Sequence, residues 1–153
     1  MTLSARATAF ALGMPSDVAF SHVTAARLWR LPLPAHLERD DTDLDVIRDS
    51  AKERIRRRGC RGHRGLESRQ LVVLGGLHVV GPADTWVDLG EVVGRGLGLD
   101  DLVVAGDAVA RRLEMQQLAD AEGARVRSAP VRGSQRGGTS AAPGSPWPTA
   151  SQP

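Results

Sequence analysis

Aromatic residues, cysteine and long apolar runs are scarce in this sequence of 153 residues. Aromatic residues make up 3% of the chain and include no Tyr, so a core must be built mainly from Leu, Val and Ala. The only cysteine, Cys60, excludes an internal disulfide and a zinc site made of cysteines alone. No apolar run approaches the roughly 18 residues of a membrane-spanning helix. We therefore expect a cytoplasmic protein that makes no membrane contact.

Lysine is almost absent, because 19 of the 20 basic residues are arginine and only Lys52 is lysine. A nuclease site of the carboxylate–carboxylate–lysine type needs an acid two residues before a lysine, and Ser50 occupies that position. No Gly-x-Ser-x-Gly motif occurs, and Cys60 has no evident base beside it in sequence. The sequence therefore predicts a protein that is not an enzyme and uses no cofactor.

The formal net charge of +2 hides a division of the chain. Residues 1–122 carry a net charge of −2, whereas residues 123–153 carry +4 and contain no acid. Of the 31 residues in that second part, 17 are Gly, Pro, Ser or Thr. Such a composition buries too little apolar area to offset the entropy of ordering. The sequence predicts a folded domain over residues 1–119 and a disordered tail over residues 120–153.

The hydrophobic pattern predicts an α+β domain with two N-terminal helices, a small antiparallel sheet and two C-terminal helices. Ser21 is expected to cap the second helix with its hydroxyl, and the last helix is expected over residues 99–113. Gly75-Gly76 separates two β-rich runs, which indicates a hairpin. Residues 38–49 carry a net charge of −4 and residues 51–64 carry +6. These opposite charges favour antiparallel pairing of two strands.

Metal-ligand patterns are weak in this sequence. Residues 41–52 place carboxylates at the first, third, fifth and ninth positions of a calcium loop, but Val46 replaces its glycine and Lys52 its bidentate glutamate. A solvated acidic edge is favoured there over a calcium site. Cys60 and His63 have metal-ligand spacing, but no second pair completes a site. The other histidines are isolated from one another in sequence: His22, His36 and His78.

A cluster of arginines is the strongest functional signal. Six arginines fall within eleven residues that contain no acid. Guanidinium groups bind phosphates through bidentate contacts and release counterions from nucleic acid, so the cluster predicts DNA or an acidic protein as a partner. Neutralisation by the preceding acidic segment is an equally weighted alternative. The candidate binding residues are Arg54, Arg56, Arg57, Arg58, Arg61 and Arg64, and replacing the central three by Ala is expected to weaken DNA retention.

Four segments together resemble a group of actinobacterial proteins. These are residues 20–34 (FSHVTAARLWRLPLP), 58–64 (RGCRGHR), 76–89 (GLHVVGPADTWVDL) and 99–107 (LDDLVVAGD). The pattern is similar to the AbiEi-type antitoxins of type IV toxin–antitoxin systems over about residues 5–113. Many members carry a winged helix-turn-helix before this domain and a very-short-patch-repair-like nuclease domain after it. The resemblance implies a non-enzymatic regulatory domain that contacts DNA or a cognate toxin.

The chain departs from that family pattern in several places. No winged helix-turn-helix fits before residue 20, and the Gly/Pro/Ser/Arg tail stands where the nuclease-like domain would follow. Arg30 stands where the family usually has Gly after Trp, and Asp84 stands where it usually has Arg before Thr-Trp. The alternative hypothesis is a truncated or frame-shifted remnant of a protein fused to such an endonuclease domain, without activity of its own.

Overall fold

The computed structural model describes residues 1–128, and its elements confirm the predicted α+β class. The helices are α1 (Leu3–Ala11), α2 (His22–Leu28), α3 (Pro82–Leu89) and α4 (Leu99–Ser128). The strands are β1 (Ala19–Phe20), β2 (Leu44–Arg48), β3 (Cys60–Arg64), β4 (Leu71–Leu74) and β5 (Leu77–Val80). Short 3₁₀ turns occupy Ala35–Leu37, Leu66–Ser68 and Gly90–Val92.

The sheet is mixed rather than antiparallel, which corrects the prediction. Its strand order is β3-β2-β1-β5-β4, and β2 pairs with β3 in parallel, with Asp45 beside Arg61 and Ile47 beside His63. Residues 49–59 carry the chain back to the starting end of β2, so β3 runs in the same direction. Charge complementarity did not determine the strand direction, because a parallel register also places opposite charges side by side.

The rest of the sheet consists of the β4–β5 hairpin at the other edge and the short strand β1 in the middle. β4 and β5 pair antiparallel around Gly75 and Gly76, whose φ angles of 55° and 81° are those of a tight two-residue turn. β1, which the hydrophobic pattern did not predict, has two residues and pairs with both β2 and β5. A strand of this length is too short to give a periodic signal. It nevertheless joins the two halves of the sheet.

The core is mainly aliphatic, as the composition predicts, and Phe20 and Trp29 are its buried aromatic residues. The indole N–H of Trp29 donates a hydrogen bond of 2.8 Å to the carbonyl oxygen of Val80, which satisfies the one polar atom of that ring. α4 reaches the core through Ala105 and Val109, both buried. Small and branched side chains therefore make most of the contacts between the helices and the sheet.

α4 is longer than the sequence pattern indicates. It runs over Leu99–Ser128 rather than 99–113, so residues 120–128 of the tail that was predicted to be disordered are helical. Residues 113–122 are rich in Leu, Met, Gln, Glu and Ala, which are strong helix formers, and no proline occurs between Leu99 and Pro130. The remainder of the predicted tail, residues 129–153, lies outside the described residues. Within residues 1–128, no helix is long and apolar enough to cross a bilayer.

The end of α2 forms a Schellman motif in which Arg30 occupies the position that favours glycine. The N–H of Leu31 donates to the carbonyl of Ala26, and the N–H of Arg30 donates to that of Arg27. Arg30 has a φ of 57°, in the left-handed region. Only glycine adopts this conformation without a steric cost at Cβ.

Replacing Arg30 by Gly is therefore expected to raise the free energy of unfolding by about 1 kcal/mol. Arg30→Ala is the matched control, because it removes the guanidinium but keeps the Cβ, and we expect no gain in stability from it. Urea denaturation of both variants measures the difference. Equal stability of the two variants would show that the left-handed backbone of residue 30 carries no cost.

Candidate functional site

A cavity of about 520 Å³ opens beside the parallel pair β2–β3. The start of α2 and the segment after α3 form its other sides. Four arginines, two histidines and two acids supply most of its charged and titratable lining: Arg54, Arg61, Arg64, Arg95, His22, His63, Asp45 and Glu91. The cavity thus gathers residues from four separate parts of the sequence.

A stacked pair of histidines forms part of this lining. The rings of His22 and His63 have centroids 3.6 Å apart and planes inclined by 15°. The parallel register places His63 on the same sheet face as Asp45, because alternate residues of a strand share a face. Nε2 of His63 lies 2.9 Å from Oδ1 of the buried Asp45. That carboxylate fixes the orientation of the His63 ring.

His22 adopts a strained backbone conformation at the start of α2. Its φ of 47° lies in the left-handed region, which is uncommon for residues other than glycine. Two hydrogen bonds to the backbone of Asp45 hold the start of α2. The Ser21 N–H donates to the carbonyl oxygen of Asp45 at 3.0 Å, and the Asp45 N–H donates to Thr24 Oγ1 at 2.8 Å. Strain of this kind persists only where the surrounding contacts enforce it.

The hydroxyl of Ser21 does not cap α2, which corrects the prediction from sequence. Ser21 Oγ lies 2.9 Å from Nδ1 of His22 instead. On the other side of the ring, Nε2 of His22 lies 3.1 Å from Oε2 of Glu91. The cap is lost because the left-handed φ of residue 22 turns the first amides away from the usual geometry.

The electrostatic environment of the cavity favours an anionic ligand. Arg61 lies 3.7 Å from Oδ1 of Asp45, which also contacts His63, so this buried carboxylate is already paired. The hydrogen bond from His22 lowers the pKa of Glu91 below its ordinary value. Four guanidinium groups therefore face two carboxyl groups in this lining, so basic side chains outnumber acidic ones.

The structure separates the six arginines that the sequence grouped together. All six are exposed, and three of them line the cavity: Arg54, Arg61 and Arg64. Arg56 lies beside Arg54 and Arg64 at a smaller neighbouring cavity. Arg57 turns toward α1, where it donates to the carbonyl of Gly13 at 3.1 Å and lies over the ring of Phe10 at 4.9 Å. Arg58 is simply exposed.

Neutralisation of this cluster by the acidic segment is limited. Within residues 1–128, Arg61 is the only one of the six within 4.0 Å of a carboxylate. Asp40 and Asp41 pair with Arg27 and Arg39 instead, at 2.9 Å in each case. Most of the positive charge of the cluster is therefore left facing solvent.

Sequence reasoning missed five members of this site: His22, His63, Asp45, Glu91 and Arg95. The histidines that are isolated in sequence meet in space, because β1 delivers residue 22 next to β2 and β3. Two signals could have found them. An acid within the apolar strand Leu44–Arg48 indicates a buried, partnered carboxylate, and both histidines lie in segments that carry the family resemblance.

The lone thiol is not part of the chemistry of this cavity. Burial raises the pKa of Cys60 above its ordinary value, so its nucleophilic thiolate is disfavoured. Cys60 packs against the core on the opposite sheet face from His63. The two residues with metal-ligand spacing in sequence therefore do not form a common site.

Comparison of the chain with models of known protein families, with curated proteins and with solved structures finds no match. The similarity to the AbiEi-type antitoxins stays a prediction from the sequence segments. The cavity itself is built from one sheet edge, one helix start and one loop.

Proposed function

We propose that this chain is a non-enzymatic AbiEi-like antitoxin-type domain with a regulatory role, which binds nucleic acid through its arginine-lined cavity. The convergence of Arg54, Arg61, Arg64 and Arg95 around one opening carries the proposal. Three of these belong to the cluster that the sequence singles out, and Arg95 comes from the loop after α3. The resemblance in sequence adds the regulatory role.

The backbone phosphates of duplex DNA are the ligands that fit this charge. Guanidinium groups bind phosphate oxygens bidentately, and each contact releases counterions. Stacking of unpaired bases is not favoured, because the cavity lining contains no Phe, Trp or Tyr, and its two histidine rings stack on each other. We therefore propose binding to duplex DNA with little sequence preference from this surface alone.

The salt dependence of binding tests the proposal. Four phosphate contacts predict that log K falls against log[salt] with a slope between about −3 and −4, so affinity drops about a hundredfold between about 50 and about 200 mM salt. Fluorescence anisotropy of a short labelled duplex measures this slope. A poly-glutamate peptide is the comparison ligand, since an acidic protein partner would favour it.

Absence of salt-dependent duplex binding by the folded chain would contradict the proposal. Tighter binding of poly-glutamate than of the duplex would favour an acidic protein as the partner. If the folded chain binds neither ligand, the remnant hypothesis becomes the better account. Circular dichroism of the same sample establishes that the chain is folded.

A further inference from the structure

We propose that His22, His63 and Glu91 bind one Zn²⁺ ion at the inner wall of the cavity. Each residue offers one ligand atom, and these atoms lie within 4.8 Å of one another. Nε2 of His22 and Oε2 of Glu91 are 3.1 Å apart. Two ligands of a tetrahedral zinc ion with bonds near 2.0–2.1 Å are about 3.3 Å apart, so this pair already has the required spacing.

The groups behind the two histidines support the same inference. A histidine that binds a metal usually donates its other ring N–H to an oxygen, which fixes the ring and raises its basicity. Ser21 Oγ lies 2.9 Å from Nδ1 of His22, leaving Nε2 toward Glu91. Oδ1 of Asp45 lies 2.9 Å from Nε2 of His63, and Asp45 is buried. Both rings thus have an oxygen partner on the side away from the ion.

Binding requires the stacked rings to part. Two parallel rings with centroids 3.6 Å apart do not direct their nitrogen lone pairs to a common point. His22 is held by its backbone and is almost fully buried, whereas the side chain of Glu91 is 66% exposed and that of His63 is 21% exposed. Glu91 and the His63 ring, which pivots on its contact with Oδ1 of Asp45, therefore turn toward His22 and close the site without moving the sheet.

The ligand set selects the kind of ion. Two imidazoles and one carboxylate suit zinc, whereas magnesium and calcium prefer oxygen ligands alone. Three protein ligands leave one position of a tetrahedral ion open, as in zinc sites that bind a further ligand. The three ligands line the same cavity as Arg54, Arg61 and Arg64, so a phosphate oxygen is the ligand class that the open position would take. Only this last step rests on the proposed function.

Zinc binding to the full chain, without any nucleic acid, tests the proposal. Cys60→Ser serves as the background, so that the thiol does not bind the ion. Calorimetry with Zn²⁺ is expected to give one ion per chain, and Co²⁺ is expected to give the visible absorption of a tetrahedral ion. His63→Gln should abolish the Co²⁺ spectrum, and Glu91→Gln should weaken binding at least about tenfold.

His78→Gln is the matched control, because it removes one exposed imidazole on β5, outside the ligand cluster. We expect it to bind Zn²⁺ as the background chain does. Glu91 is exposed, so Glu91→Gln keeps the test decisive even if His63→Gln does not fold. Unchanged affinity of folded Glu91→Gln and His63→Gln, or absence of stoichiometric Zn²⁺ binding by the background chain, would overturn the proposal. Zinc binding without duplex binding would support the metal site and reject only the nucleic-acid function.

Discussion

Replacing Arg69 by Ala is expected to lower the free energy of unfolding by about 3–5 kcal/mol. Nε and one terminal nitrogen of Arg69 donate to Oδ1 of Asp88 at 2.9 and 2.7 Å. The carboxylate of Asp88 is 1% exposed, and its Oδ2 has no hydrogen-bond partner among the described residues. Without Arg69, a buried charge would remain uncompensated between α3 and the start of β4, which is why the expected loss is large.

A double-variant cycle measures the coupling free energy between Arg69 and Asp88 apart from the effect of each single change. Arg69→Ala combined with Asp88→Ala should cost less than the sum of the two single changes, because no buried charge remains. Arg111→Ala, on an exposed face of α4, is the control and should change stability by no more than about 0.5 kcal/mol. Chemical denaturation gives each value. A loss for Arg69→Ala as small as that for Arg111→Ala would contradict this account of the pair.

Replacing Gly62 by Ala is expected to cost about 3 kcal/mol and to disturb the cavity at the same time. A Cβ at position 62 would lie 2.3 Å from the carbonyl oxygen of Ile55, so backbone atoms would have to move. Ile55 neighbours Arg54 in the segment that packs over β3 and lines the cavity. The variant should therefore lose duplex affinity as well as stability.

Gly90→Ala is the matched control for this glycine. A Cβ at position 90 meets no atom within 4 Å, and the residue ends α3 with a φ of −56° that any residue adopts. We expect a stability within about 0.5 kcal/mol of the parent chain. Thermal unfolding of both variants, together with their duplex affinities, provides the comparison. Equal stability of the two variants would show that the segment over β3 does not pack as the structure indicates.

The helices and the β4–β5 hairpin could be predicted because their signals are local. Gly75-Gly76 between apolar runs and Pro82 at a helix start depend on a few adjacent residues. The direction of β3 depends on the path of residues 49–59, which carries no periodic signal. The length of α4 was underestimated because its exposed half has helix-forming residues without an apolar face.

The candidate site could be predicted only in part from the sequence. The arginine cluster is contiguous, so composition alone found it, but composition could not show that Arg57 turns toward α1. The meeting of His22 with His63 results from a sheet order in which β1 lies next to β2. Sequence spacing does not predict this contact, because it depends on which strands are neighbours in the sheet. A search for metal-ligand spacing along the sequence therefore misses the pair.

Two arginine variants of equal charge test the central claim, that the cavity rather than the overall positive charge binds nucleic acid. One variant replaces three of the four cavity arginines by Gln, and the other replaces by Gln the three arginines that lie between them in sequence. The first carries changes at Arg54, Arg61 and Arg64, and the second at Arg56, Arg57 and Arg58. Each loses three positive charges, so general electrostatics would weaken both equally.

The measurement is the dependence of duplex affinity on salt for the parent chain and for both variants. The account predicts that the cavity variant loses about three units of slope, one for each phosphate contact. The second variant should keep its slope within about one unit, in place of the weaker DNA retention that the sequence alone predicts for changes at these three positions. Equal loss of slope in the two variants, or a larger loss in the second, would contradict the assignment of nucleic-acid binding to the cavity.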